Sequence, residues 1–201
     1  MSIVMAVEAI MKSFADLNTS TSGAITSNLS TTIKWSAPPS SFVKINFDGS
    51  VRRDSAASGF VIRDHNGRPV IAATKCVGNS STPVAEATAL RDSLIAAKDK
   101  GFTRVEVEGD SKLVIDVVTG RVIPPWRLLK LIEDIRTIAT SFSQITFKHI
   151  YREANFVADA IANLGHNAAS PMSWSDRVPS EASRALIFDV VNFGCLRGFL
   201  L

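Results

Sequence analysis

The sequence predicts a mixed α/β domain: five strands in one sheet, with helices on both faces. Two observations carry this. Three period-two runs come first, joined by turn signals with no helix between them, and further strands then alternate with helical stripes. A meander followed by β-α-β units gives a sheet that is part antiparallel and part parallel. A third observation bounds the size: 201 residues, 46% hydrophobic, suit one domain with tails and are enough to bury a core.

The first strand is the alternating run Phe42-Val43-Lys44-Ile45-Asn46-Phe47, ending at Asp48. A polar turn, Val51 to Ser55, leads to the second strand, Gly59 to Arg63. Asn66-Gly67 is a hairpin signal, so Val70 to Val77 returns antiparallel to it. Ser80-Ser81-Thr82-Pro83 supplies a hydroxyl cap and a first-turn proline, opening a helix that runs to Lys100 and stops at Gly101. Its stripe is Ala87, Leu90, Leu94, Ile95 and Ala97. Strand 103–108 follows, then a helix from Ser111 carrying Leu113, Val114, Val117 and Val118 and ended by Gly120. Pro124-Pro125-Trp126 reads as a joint before the helix at 127–141, with Trp126 as core or part of that joint. Gln144 to Tyr151 is the fifth strand, and Asn155 to Leu164 the last helix, stopped by Gly165.

Outside this pattern the chain divides into an N-terminal helix and Ser/Thr-rich linker (residues 1–40), the domain (41–165) and a C-terminal tail (166–201) with no usable periodicity. Glu8, Lys12 and Asp16 are four apart and line one helix face. Trp35 and Pro38-Pro39 are placed to clip the linker to the domain. The net charge of +3 permits a polyanionic partner without demanding one. Cys76 and Cys195 match no metal or redox spacing, so nothing requires an oxidising compartment. The apolar start carries no basic leader, and Asp189, Asn192 and Arg197 interrupt the apolar stretch near the other end, so neither a secretory signal nor a membrane span is expected. A monomer is expected. The Asn-x-Ser/Thr matches at Asn18, Asn28 and Asn79 read as chance. Arg52-Arg53 and Arg63 with Arg68 read as solvated turn charges.

Four acids stand out. Asp48 and Asp110 each end a strand, which places both at the carboxyl edge where ligands gather in such sheets. Glu86 lies in the first turns of a helix, and Asp159 inside the apolar helix Phe156-Val157-Ala158-Asp159-Ala160-Ile161-Ala162. Taken singly, Asp48 suits an Asp-Gly turn, Glu86 a first-turn acid and Asp110 an N-cap. Asp159 has no such local use. A carboxylate in apolar surroundings is costly unless paired. Several together call for a hard divalent cation.

The segments Asn46-Phe47-Asp48-Gly49-Ser50, Ala85-Glu86-Ala87-Thr88-Ala89-Leu90, Glu108-Gly109-Asp110-Ser111-Lys112 and Arg152-Glu153-Ala154-Asn155-Phe156-Val157-Ala158-Asp159 resemble, in order and spacing, those of type 1 ribonuclease H domains. Trp35-x-x-Pro38-Pro39 ahead of the first strand is similar to the plant branch related to the ribonuclease H segment of non-LTR retroelements. The resemblance covers roughly residues 35–165. It implies a ribonuclease H-like fold and cleavage of the RNA strand of an RNA–DNA hybrid. It also implies two magnesium ions, or manganese, held by Asp48, Glu86, Asp110 and Asp159. Asp48 would bridge both ions, Glu86 and Asp110 would complete one site and Asp159 the other. Thr82, Lys112, Arg152 and Asn155 are the candidate nucleic-acid contacts.

The chain departs from the family in two places. The family's loop histidine before the last acid is missing from Tyr151-Arg152-Glu153-Ala154-Asn155, where Glu153 is the group to test for its role, and His149 falls in a strand. The glycine-rich turn after the first strand has no glycine until Gly59. A slow hybrid-cutting nuclease is the leading reading, with a binding module of weak or no cleavage and a DNA-cutting nuclease of the same broad fold as alternatives.

Overall fold

A computed structural model describes residues 32–191 and 194–201. The N-terminal helix and most of the linker lie outside them. One six-stranded sheet has the order β5-β4-β1-β2-β3-β6. Its strands are β1 (Val43–Arg52), β2 (Ser55–Arg63), β3 (Pro69–Gly78), β4 (Arg104–Gly109), β5 (Gln144–His149) and β6 (Met172–Ser175). The first three and β6 pair antiparallel, while β1, β4 and β5 run parallel.

The helices are α1 (Thr82–Asp99), α2 (Lys112–Val118), α3 (Leu129–Ala139), α4 (Phe156–Leu164) and α5 (Ser183–Val191). Strand alternation sets the layers. Val43, Ile45 and Phe47 of β1 face the main core, where they meet Leu90 and Leu94 of α1, Ile115 of α2 and Ile132 and Ile135 of α3. The intervening positions, Asn46 and Asp48, face α4. Gly59 pairs directly with Asp48 across β1–β2, and a Cβ on it would strike the backbone of Ile161 and Ala162 in α4. Among the described residues no helix is long and apolar enough to cross a membrane.

Several expectations need correction. The sheet has a sixth strand, β6, in the tail that showed no period: four residues pair with Ile71–Thr74 at the sheet edge, too few to leave a pattern. β1 and β2 run up to a two-residue turn, where Arg53 takes the left-handed conformation (φ 49°) that glycine more often fills. Ser81 is the α1 N-cap by position but makes no side-chain capping bond. Arg63 is not a solvated turn charge. It is fully buried, ion-paired to Asp189 of α5 at 2.6 Å, donates to Asn46 Oδ1 at 2.8 Å and lies 3.6 Å over the Trp35 ring. Trp35 does clip its segment to the domain, since its indole N–H donates to the same Asn46 oxygen at 2.9 Å. Trp126 is not core: it is 80% exposed in the turn that joins into α3, with the Arg127 guanidinium 5.1 Å from its ring.

Candidate active site

β1 pairs with β4 as far as Phe47 opposite Gly109, so the next residue on each strand is an acid, Asp48 beside Asp110. Asp48 does not end its strand. It marks the point where β1 outruns β4 and continues only against β2. Gly49 lets α1 approach: a Cβ there would overlap the backbone of Ala85 and Glu86, so the missing side chain brings Glu86 over the strand. Carboxylate oxygens of Asp48, Glu86 and Asp110 all lie within 4.8 Å of one another.

This cluster is electrostatically unfavourable as it stands. Burial, followed by repulsion from Asp110 and Asp159, pushes the Asp48 carboxyl well above the ordinary range. Burial and then Asp48 and Asp110 do the same to Glu86. Burial raises Asp110 too, against hydrogen bonds from its own backbone N–H and from Asn155. Among the described residues no lysine or arginine forms an ion pair with any of the three. Glu86 Oε2 is buried with no hydrogen-bond partner. Close carboxyl groups share protons when no cation is present.

Asp159 sits on α4 beside this group and near enough to repel Asp48 and Asp110, but outside the set of three. Both its oxygens are held. Arg152 donates to Oδ1 at 2.8 Å, and Asn163, one helical turn on, donates to Oδ2 at 3.3 Å and to the Asp159 carbonyl at 2.9 Å. Asn163 is fixed in turn by Ser50 and Arg52, each donating to its Oδ1 at 2.9 Å. His166 lies between Ser50 Oγ (3.0 Å) and Ser55 Oγ (3.1 Å). Burial lowers its pKa, and the nearby Arg52 charge lowers it further. The sequence singles out none of Ser50, Asn163 and His166. Their one visible signal is the i, i+4 spacing of Asp159 and Asn163 on a helix.

The four candidate nucleic-acid contacts separate. Thr82 is exposed at the start of α1, and Lys112 is exposed but ion-paired with Asp116. Arg152 is exposed and paired with Asp159. Asn155 is 1% exposed and turned inward: its Nδ2 donates to the Phe47 carbonyl at 3.0 Å and to Asp110 Oδ1 at 3.2 Å. It therefore positions β1 and Asp110 and presents no surface to a polymer. Glu153 is also buried and accepts the backbone N–H of Gly198, so it is committed to the C-terminal segment. His149 lies edge-on to Tyr151, ring centroids 6.0 Å apart.

Comparison with known proteins sets this geometry in context. The family described as "Reverse transcriptase-like" matches residues 46–165. A protein of Arabidopsis thaliana named for ribonuclease H is 29% identical over 162 residues, 80% of this chain and 26% of that protein. Ribonuclease HI of Halobacterium salinarum is 35% identical over 121 residues, 58% of this chain and 60% of that protein. The chain thus spans between 26% and 60% of the length of these curated relatives. Among solved structures, RNase H1 of Halobacterium salinarum superposes with a TM-score of 0.60 at 32% identity, over 63% of this chain and 98% of that one. LC11-RNase H1, solved in complex with an RNA/DNA hybrid, superposes with a TM-score of 0.57 at 28% identity, over 62% of this chain and 96% of that one.

Proposed function

This chain belongs to the reverse transcriptase-like family of ribonuclease H-type enzymes, in the plant branch related to retroelements, and from that premise we propose that it is an endonuclease hydrolysing the RNA strand of RNA–DNA hybrids. The observation that carries the reading is the trio Asp48, Glu86 and Asp110, with oxygens within 4.8 Å, raised pKa values and, among the described residues, no cationic side chain ion-paired to them.

The donor set fits divalent cations. It is all carboxylate oxygen, as magnesium and manganese prefer, and the orphaned Glu86 Oε2 is a buried acceptor in want of a partner. Asp48, Glu86 and Asp110 would hold one ion, and Asp48 with Asp159 the second. When bound, the two ions would supply an activated water and charge stabilisation at the leaving 3′ oxygen, giving 5′-phosphate and 3′-hydroxyl products.

The protein's own residues set the geometry. Asn155 ties Asp110 to the β1 backbone, so the two strand acids keep one spacing. Asn163, braced by Ser50 and Arg52, orients Asp159. Gly49 and Gly59 let α1 and α4 close on the sheet from either side. Such positioning networks limit how far a site must reorganise during reaction.

A second reading, a hybrid-binding module with weak cleavage, is favoured by one observation. The turn before Asp159 holds no histidine, and its Arg152 bonds Asp159 through one guanidinium nitrogen. One experiment decides between them. Labelled RNA–DNA hybrid, double-stranded RNA and duplex DNA are incubated with magnesium or manganese. The RNA strand of the hybrid should be cut, and Asp48→Asn and Asp110→Asn should lose orders of magnitude in rate while staying folded. No hybrid cleavage with either cation, or near wild-type rates in these variants, refutes the nuclease reading.

A further inference from the structure

The last acid of the site opens onto a cavity that the family match does not foresee. Asp159 and Arg152 share a 160 Å³ cavity with Phe156 of α4, with Glu181 just before α5 and with Arg184 and Ala185 in its first turn. That segment lies beyond residue 165, where the family match stops. We propose that Arg184, together with Arg152, forms a subsite for a backbone phosphate of the bound nucleic acid, next to the phosphate that reaches the carboxylates. This rests on the nucleic-acid reading of the site given above.

The chemistry of the wall supports an anion. Arg184 is exposed and, among the described residues, makes no hydrogen bond or ion pair. An unpaired guanidinium facing a cavity offers a planar fork of donors suited to phosphate oxygens. Arg152 has Asp159 as its one partner there. Two acids share the cavity with the two arginines. Glu181 accepts from Ser180 Oγ at 2.8 Å, and Asp159 is committed to the site. Arg152 and Asp159 are already paired, so Arg184 is the charge in this wall with no acid bonded to it. Phe156 and Ala185 supply an apolar wall, which limits water competing for the guanidinium. One water needs only about 10–15 Å³ of such space, so a phosphodiester group fits.

The segment carrying Arg184 is firmly placed. Asp189 anchors α5 to Arg63 at 2.6 Å. Phe188 meets Phe156 edge-on at 5.8 Å between centroids and stacks on Phe199 at 6.0 Å. The cavity wall is thus part of the domain, and the helix backbone that carries Arg184 is held near the site.

The test is binding, separate from cleavage. A fluorescent RNA–DNA hybrid is titrated in EDTA from low salt upward with wild type, Arg184→Ala, Arg184→Lys and, as a distant control, Arg68→Ala, an exposed arginine of the β2–β3 turn. Loss of one phosphate contact should weaken binding by roughly 5–10-fold for Arg184→Ala and reduce the slope of log K against log salt by about one. Arg184→Lys should keep most of the slope while losing part of the affinity, and Arg68→Ala should match wild type. Equal affinity and slope for wild type and Arg184→Ala overturns the subsite, as does an equal loss in Arg68→Ala, which would make the effect one of net charge. So does an Arg184→Ala defect seen with an acidic peptide and not with the hybrid. Wild-type cleavage with magnesium is measured alongside. Its absence would count against the nuclease reading, while the Arg184 comparison still decides the subsite.

Discussion

Removing Asp189 should unfold this protein far more readily than removing any surface acid. The Arg63 guanidinium is fully buried, and its closest charge partner is Asp189 at 2.6 Å, with Asn46 Oδ1 at 2.8 Å and the Trp35 ring against its face. Burial pulls the guanidinium pKa down and the Asp189 carboxyl up, each against the attraction of the other. Arginine does not deprotonate in proteins, so Asp189→Ala leaves a charge in the interior with only neutral partners. Breaking a buried pair from one side costs about 3–5 kcal/mol. For a domain of this size each kcal/mol moves Tm by about 2–4 °C, so a fall of roughly 6–20 °C is expected. Asp189→Asn should fall in between. The double variant Arg63→Met/Asp189→Leu should recover most of the loss, because replacing both members of such a pair is often neutral or better. Urea denaturation at pH 7 measures this, with the single variants Arg63→Met and Asp189→Leu completing the cycle that gives the coupling. The effect should also be insensitive to salt, since a buried pair is poorly screened. An Asp189→Ala loss below about 1 kcal/mol, the range of an exposed pair, would refute the docking of α5 on the sheet.

Two further outcomes concern the site. Asp48, Glu86 and Asp110 have raised folded pKa values, so protonation favours the fold. Their contribution is fully present below the unfolded carboxyl range of about 4 and is lost as pH rises through the folded values. Without divalent cations, the Tm of Asp48→Asn should therefore exceed that of wild type by a margin that grows with pH, and magnesium should raise the wild-type Tm more than the variant's; a pH-independent difference would refute the repulsion. Asn155→Ala should cost about 1–3 kcal/mol through the unsatisfied Phe47 carbonyl and lower cleavage by misplacing Asp110, and a variant of full activity and stability would show that Asn155 positions nothing.

Whether a residue's role is legible in the chain depends on where its partner lies. The parallel pairing of β1 with β4 sets Asp48 beside Asp110, and both strands are visible as runs of alternating residues. Glu86 and Asp159 need only helices of the expected length. The Gly49 and Gly59 contacts that bring those helices close show in sequence as nothing more than small residues. Arg63 misleads because its partner sits 126 residues away, in a helix whose nine residues show no clear stripe. Locally it looks like a charge at a turn. Shorter but still non-local separations hide β6, the Glu153–Gly198 contact and Arg184.

Arg63 and Asp48 pose the same physical question, and the difference in sign answers it. Each is an ionisable group in an apolar setting, and each must find compensation or change its charge state. Arg63 cannot give up its charge, so the fold must bring an acid to it, and the segment after Gly165 does so with Asp189. The acids at 48, 86 and 110 gather with their own kind, and among the described residues no base pairs with them. Protonation offsets the repulsion only in part and at the expense of the charge itself. A cluster built this way is maintained against its own electrostatics by close packing at Gly49 and by Asn155. Pairing gives the first group the opposite charge it needs, although Arg63 Nε and Asp189 Oδ1 make no hydrogen bond. The second has no such charge among the described residues, its buried acceptor Glu86 Oε2 is unsatisfied, and a cation from solution is the partner whose charge and ligand preference both fit.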